Sequence, residues 1–235
     1  AVESYSLGTW TINPLQINAP TINAESTTYT GETYNGEVTL KHSEASDSRG
    51  SSQDIIDLDD TNIRYYTQRT GGNGGDAPVN AGTYFAGVES NGWAFVEGKV
   101  STNYQIIGGS RAQFSISKAT ATMEFSLKAV PATYTAEGTA LQPVTVTGLV
   151  GKDIGKEEDV KGEVQYSYKY SQTPDADWST VNPTTINDPQ THKFTEVGYY
   201  QITAKWGAGT VSNNYTAKDA IYTLTITQAE TQDIT

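Results

Sequence analysis

At 235 residues the chain can hold two domains of about a hundred residues, each burying its own core. Its 15 Tyr, frequent Thr, Val and Ile, single Met and missing Cys suit pleated, half-buried surfaces better than helices. A net charge of −12 leaves no broad cationic surface to neutralise phosphates, which argues against nucleic acid and anionic membrane as partners.

No stretch approaches the ~18 to 20 apolar residues of a membrane span, so no direct membrane insertion is expected. The first residues, Ala1-Val2-Glu3-Ser4-Tyr5, have neither the basic nor the apolar region of a signal peptide. Absence of Cys fits a reducing cytosol or an exported protein stabilised without disulfides.

In chain order, Thr9-Trp10-Thr11-Ile12-Asn13-Pro14 alternates apolar and polar residues, as does a strand with one buried face. Two later segments look like it, Gln113-Phe114-Ser115-Ile116-Ser117-Lys118 and Thr223-Leu224-Thr225-Ile226-Thr227-Gln228. Ile12, Ile116 and Ile226 are spaced by 104 and 110 residues. Further markers repeat in the same order. Ser26-Thr27-Thr28-Tyr29-Thr30-Gly31 parallels Pro131-Ala132-Thr133-Tyr134-Thr135-Ala136, and Val79-Asn80-Ala81-Gly82-Thr83-Tyr84 parallels Thr195-Glu196-Val197-Gly198-Tyr199-Tyr200. Asn103-Tyr104 parallels Asn214-Tyr215. A period near a hundred residues marks a tandem repeat.

The expected organisation is a last strand of a preceding repeat, or a linker, over 1–17. A loop-elaborated repeat 1 over 18–117 and a repeat 2 over 118–227 follow, then a linker or the start of another repeat over 228–235. Short alternating strands such as Glu37–Lys41, Val144–Val146, Val164–Tyr170 and Tyr200–Ala204 are separated by breaks such as Gly71–Gly75 and Gly207–Gly209. Many short strands with regular turn signals predict an all-β fold of two tandem Ig-like antiparallel β-sandwich domains. No segment reads as a helix; Gly155–Asp159 reads as a charged loop.

These landmarks resemble the MBG-type Ig-like repeats of bacterial surface proteins. The resemblance rests on Thr133-Tyr134-Thr135, Tyr166-Ser167-Tyr168-Lys169-Tyr170 with Ile63-Arg64-Tyr65-Tyr66, the turn-strands Asn80–Tyr84 and Glu196–Tyr200, and the closing Phe114-Ser115-Ile116. It implies a cell-surface or secreted, extracellular setting with neighbouring repeats as partners in the same chain. It also implies a stalk or adhesive role. Repeat 1 departs from the pattern with long Gly/Ser/Asp-rich stretches over 43–62 and 70–78, where any particular function would sit. Gly82 and Gly198 are expected to supply positive φ at strand entry, and Tyr84 and Tyr200 to tie their hydroxyls to loop backbone as in a tyrosine corner.

Catalysis has little to stand on, because His42 and His192 are the two histidines and occupy non-equivalent places. The expectation is no enzyme and no resident cofactor. Two histidines do not make a usual zinc site without distant carboxylates; for calcium, Asp54, Asp57, Asp59 and Asp60 offer closely spaced oxygens, but lack the EF-hand register and also fit a short strand or turn with a solvated face. A Lys–Asn crosslink would need a Lys inside an apolar strand; Lys41 and Lys128 lie near strand ends with no partner to name. Aromatics are the better lead. Trp93 and Trp178, in turn-like surroundings, and Tyr65 with Tyr66 are the candidate ligand-binding residues, suited to stacking on sugar rings or to a host cell-surface protein. For each loop Trp the competing reading is cover for the open end of a sandwich. Trp10 reads as core and Trp206 as a strand end.

Overall fold

Strand by strand, apolar side chains at every second residue face inward. The computed structural model describes residues 8–46, 48–126 and 131–230. It divides into two units, Ala1–Thr27 with Thr33–Ile116, and Thr28–Glu32 with Ser117–Thr235.

The first unit runs β1 (Leu15–Asn18), β2 (Thr21–Ala24), β3 (Thr27–Thr28), β4 (Val38–Lys41), β5 (Ile56–Asp57), β6 (Ile63–Tyr66), β7 (Gly82–Val88), β8 (Ala94–Phe95), β9 (Tyr104–Ile107) and β10 (Ala112–Ser117). A four-stranded sheet has the order β3-β10-β7-β6, and β2 pairs with β4. β1 runs parallel to β9, with Leu15 opposite Tyr104, and β5 pairs with β8. Ile17, Ile22, Phe85, Phe114 and Ile116 are buried. The loop between β4 and β5 is fastened by Ser52, fully buried, whose Oγ accepts the Ser43 N–H at 2.8 Å.

The second unit repeats this pairing. It contains β11 (Ala119–Thr120), β12 (Thr122–Phe125), β13 (Ala132–Thr133), β14 (Thr139–Ala140), β15 (Val144–Thr147), α1 (Glu157–Glu163), β16 (Gln165–Ser171), β17 (Thr184–Ile186), β18 (Lys193–Phe194), β19 (Gly198–Lys205), β20 (Tyr215–Thr216) and β21 (Ala220–Thr227). The large sheet is β13-β21-β19-β16-β17 and the facing pair is β12-β15. β11 runs parallel to β20, with Ala119 opposite Tyr215, as Leu15 lies opposite Tyr104. Met123, Val144, Tyr166, Ile202, Leu224 and Ile226 meet in one core drawn from both sheets. Each unit is therefore an Ig-like antiparallel β-sandwich, and the chain is two of them in tandem.

Both predicted tyrosine ties form, at the same offset. The Tyr84 hydroxyl donates to the Asn80 carbonyl at 2.9 Å, and the Tyr200 hydroxyl donates to the Glu196 carbonyl at 2.8 Å. Only Gly198 of the two strand-entry glycines has positive φ, at 147°.

Three features differ from expectation. Trp10 is 92% exposed rather than core, and Ile12 is 95% exposed; the strand near this end is β1, which seats Ile17. Residues 157–163 form a helix rather than a charged loop. Glu157, Glu158 and Asp159 occupy its first turn, where carboxylates complement the N-terminal dipole. Val160 is fully buried beneath it, and Lys161 pairs with Glu158 one turn back at 2.6 Å. Finally, the compact units cut across the repeat period: β1 packs with the first unit, and Thr28–Glu32 with the second.

The last difference has a visible cause. Tyr29 donates its hydroxyl to the Asp153 carboxylate at 2.6 Å, and Tyr215 donates to the same oxygen at 3.0 Å. Lys156 Nζ holds the other oxygen at 3.0 Å. Tyr29 and Tyr215 meet edge to face, 5.4 Å apart. Burial works against the Asp153 charge, but the three donors together outweigh it and hold the carboxyl below its ordinary 3.8.

Candidate functional site

The first unit carries a groove of about 1140 Å³, lined by the β6–β7, β7–β8 and β9–β10 connections. Two consecutive glycines, Gly108 (φ 85°) and Gly109 (φ 93°), turn the chain between β9 and β10, a backbone that a Cβ would oppose. Trp93, half-buried after the turn at Asn91-Gly92, lies against that turn: a Cβ on Gly109 would sit 3.8 Å from the indole Cζ2. Phe95 and Tyr104 add two more aromatic rings to the lining, stacked 6.1 Å apart.

Arg111 follows the glycine turn and forms one wall. Its guanidinium lies 3.2 Å above the Tyr66 ring centroid, a cation–π contact. Nη1 donates to the Gln68 carbonyl at 2.8 Å and to the Gly71 carbonyl at 2.7 Å. Gly87 makes this possible, because a Cβ there would fall 2.7 Å from Arg111 Cγ. Arg69, also in the lining, lies over Phe85 at 5.5 Å and donates from Nη2 to the Gln113 amide oxygen at 3.2 Å. A smaller adjoining cleft of about 440 Å³ shares Arg111 and is lined by Tyr66, Asn73 and Glu89. There Glu89 Oε1 accepts the Gly74 N–H at 3.2 Å.

Of the four aromatic candidates, the structure thus brings together Trp93 and, beneath Arg111, Tyr66. Tyr65 points the other way along β6 and packs edge-on against Tyr34 at 5.8 Å and Phe114 at 5.9 Å. Burial raises its hydroxyl pKa. Trp178 lies in the second unit, half-buried in a turn, with its carbonyl accepting from Lys169 Nζ. Arg69, Arg111, Tyr104 and the Gly108-Gly109 turn were not singled out as site residues by sequence. One signal pointed to them: all four arginines, Arg49, Arg64, Arg69 and Arg111, fall in the first repeat.

The acidic run is organised by its own backbone. Asp57 Oδ1 accepts the N–H groups of Asp59 at 3.1 Å and Asp60 at 3.3 Å, an Asx-type turn that ends β5. Asp54 sits at φ 58° in the preceding turn. Among the described residues, no three His, Asp or Glu side chains gather into a metal-binding group. Adding millimolar calcium is therefore expected to leave the thermal midpoint in place. A rise that grows with calcium concentration would put an ion on this run. Lys41 is exposed at the end of β4, and Lys128 lies outside the described residues.

His42 is half-buried, its Nδ1 3.4 Å from Ser52 Oγ. His192 packs edge to face on Phe194 at 4.7 Å, and burial lowers its pKa. Among the described residues, no helix is long and apolar enough to cross a membrane.

No family model matches the chain, and no curated protein does. Among solved structures it is similar to the N-terminal four Ig domains of Dscam1 isoform 6.9, at 10% identity and TM-score 0.28, over 93% of this chain and 45% of that one. It is similar to EC1-3 of Drosophila N-cadherin at 11% identity and TM-score 0.25, over 90% of this chain and 68% of that one. The Ig domains 1-5 of Sidekick-1 give 10% identity and TM-score 0.28, over 90% of this chain and 40% of that one. The chain spans 45% and 48% of the two Dscam1 structures it matches. Likeness of this size assigns it to no family.

Proposed function

We propose that the chain is a non-catalytic stretch of a bacterial surface or secreted protein, acting outside the cell. In this reading the repeats over 18–117 and 118–227 form part of an adhesive stalk of MBG-type modules, and the first repeat also binds a ligand. The observation that carries the binding role is the groove beside Trp93, floored by a glycine turn and walled by aromatic rings. Its volume suits a ligand of a few sugar rings, and exposed aromatic faces beside polar loop groups are what saccharide recognition uses. The same groove favours a saccharide over a host protein, since protein partners are generally held on broad, flat surfaces of several hundred Å² a side.

A glycan array probed with the whole chain tests this. Trp93→Ala is expected to lower binding at least about tenfold, the loss of one buried aromatic contact, while Trp178→Ala leaves it unchanged. If the chain binds no glycan, or loses binding only through Trp178, the groove is not the site and the first repeat is a spacer.

A further inference from the structure

We infer that the groove recognises an acidic saccharide, one carrying a carboxylate or sulfate group, with the anion held by Arg69 and Arg111 and a sugar ring against Trp93. This rests on the groove being the binding site. Its new content is the charge of the ligand.

The first argument is local charge. The chain has 27 acidic residues and a net charge of −12. Yet the groove lining contains two arginines and no Asp or Glu; Glu89, in the adjoining cleft, is engaged by the Gly74 N–H. An acidic protein that keeps carboxylates out of this groove and places two cations there has the complement of an anion. At physiological salt the remote acids are screened beyond about 8 Å, so the two nearby guanidinium groups decide what enters.

The second argument is preorganisation. Arg111 is fixed from three sides: stacked on Tyr66, bonded by Nη1 to two loop carbonyls, and laid across the space left open by Gly87. Both Nη1 hydrogens are used, and among the described residues nothing accepts from Nε or Nη2. Those donors share the plane of the guanidinium, the arrangement that suits a carboxylate or sulfate with paired oxygens. Arg69 is likewise held through one nitrogen, by Gln113, with Nε and Nη1 unengaged among the described residues. A side chain already ordered loses less freedom on binding.

The third argument concerns the rest of the ligand. Trp93 and Tyr104 supply ring faces, while Ser90, Asn91 and Gln105 supply neutral hydrogen-bonding groups to the same lining. Flat rings beside amides and hydroxyls suit sugar rings and their hydroxyls, and are not specifically what an acidic peptide requires.

The test uses the whole chain, with fluorescent glycans bearing a carboxylated sugar or a sulfated sugar, and the same glycans after the acidic group is removed. Both acidic sets, or either one, are expected to bind at least about tenfold more tightly than their neutral counterparts, the usual worth of a charge-assisted hydrogen bond. Which set binds better identifies the anion. Arg69→Gln is expected to remove most of that advantage while leaving the melting midpoint within a degree or two. Arg111→Lys should also weaken binding, since a lysine cannot keep the planar fork.

Equal binding of acidic and neutral glycans, still lost in Trp93→Ala, overturns the charge assignment and leaves the groove standing. Indifference to Trp93→Ala overturns both. An Asp/Glu-rich peptide that displaces the glycan at equal concentration overturns the saccharide class.

Discussion

Asp153→Ala is expected to destabilise the second unit by about 2 to 4 kcal/mol, because it removes a buried acceptor shared by three donors. Asp153 is 4% exposed and takes hydrogen bonds from Tyr29, Tyr215 and Lys156. Without it, two buried hydroxyls lose an acceptor; Tyr215 keeps a second link, accepting the Val150 N–H at 2.9 Å, and Tyr29 keeps its side-chain hydrogen bond with Asn214. Asp153→Asn keeps the volume and one acceptor, so its cost should be roughly half as large. A double-mutant cycle with Tyr29→Phe should show coupling of about 1 to 2 kcal/mol. Urea midpoints would measure these values. A loss under ~0.5 kcal/mol for the alanine variant would mean that the cluster contributes no more than a surface pair.

The same cluster sets two pH limits. The Asp153 pKa is depressed in the folded chain, so its contribution is fully present above 3.8 and is lost as pH falls through the lower folded value. Tyr215 is pushed up to about 12, first by burial and then by Asp153, from an ordinary 10.0. Tyr29 is raised further for the same reasons. A raised pKa contributes stability below the unfolded value and loses it as pH rises through the folded one. Stability of the second unit should therefore decline between pH 10.0 and about 12, and Tyr29→Phe should blunt that decline.

Phe114→Ala should cost the first unit about 3 to 5 kcal/mol, the range for emptying a buried phenylalanine site. Phe114 is 1% exposed, and Tyr34, Tyr65 and Tyr84 surround it with ring centroids at 4.3, 5.9 and 5.8 Å. Rings anchored on β6, on β7 and in the loop before β4 cannot easily collapse into the space, which puts the cost toward the upper end. Hydrogen exchange at the amides of β7 and β10 should rise sharply in this variant. Protection equal to that of the unchanged chain would mean that the ring cluster does not hold the sheet.

The sandwich was legible because its signal is local. β19 and β21 bury every second residue over eight residues each, so the period-two pattern could be read directly. The tyrosine ties were legible for the same reason, since each spans four residues. Long-range features left weaker traces. Trp10 and Ile12 imitate Phe114 and Ile116 in pattern, yet among the described residues no partner strand covers them. The short helix over 157–163 was hidden by its acids, which read as loop residues although they suit a helix N-terminus. Tyr29 belongs with the second unit through a hydrogen bond to a residue 124 positions away, which no periodicity encodes.

Trp93 was reached from sequence because an aromatic after a turn is conspicuous. Arg111 was not, because its place depends on Tyr66 and on the missing Cβ of Gly87, both distant along the chain. The elaborated stretch over 70–78 does reach the groove, since Thr70 and Gly71 line it and Gly72 and Asn73 line the adjoining cleft.

The central claim is that the first unit's groove is where this protein meets its ligand. Amide chemical shifts of the whole chain, recorded while the tightest glycan from the array is titrated in, test it most directly. Shifts should concentrate at Arg69–Gly71, Trp93 and Gly108–Arg111. Shifts confined to the Trp178 turn, or spread evenly with no focus on the groove, would contradict the account.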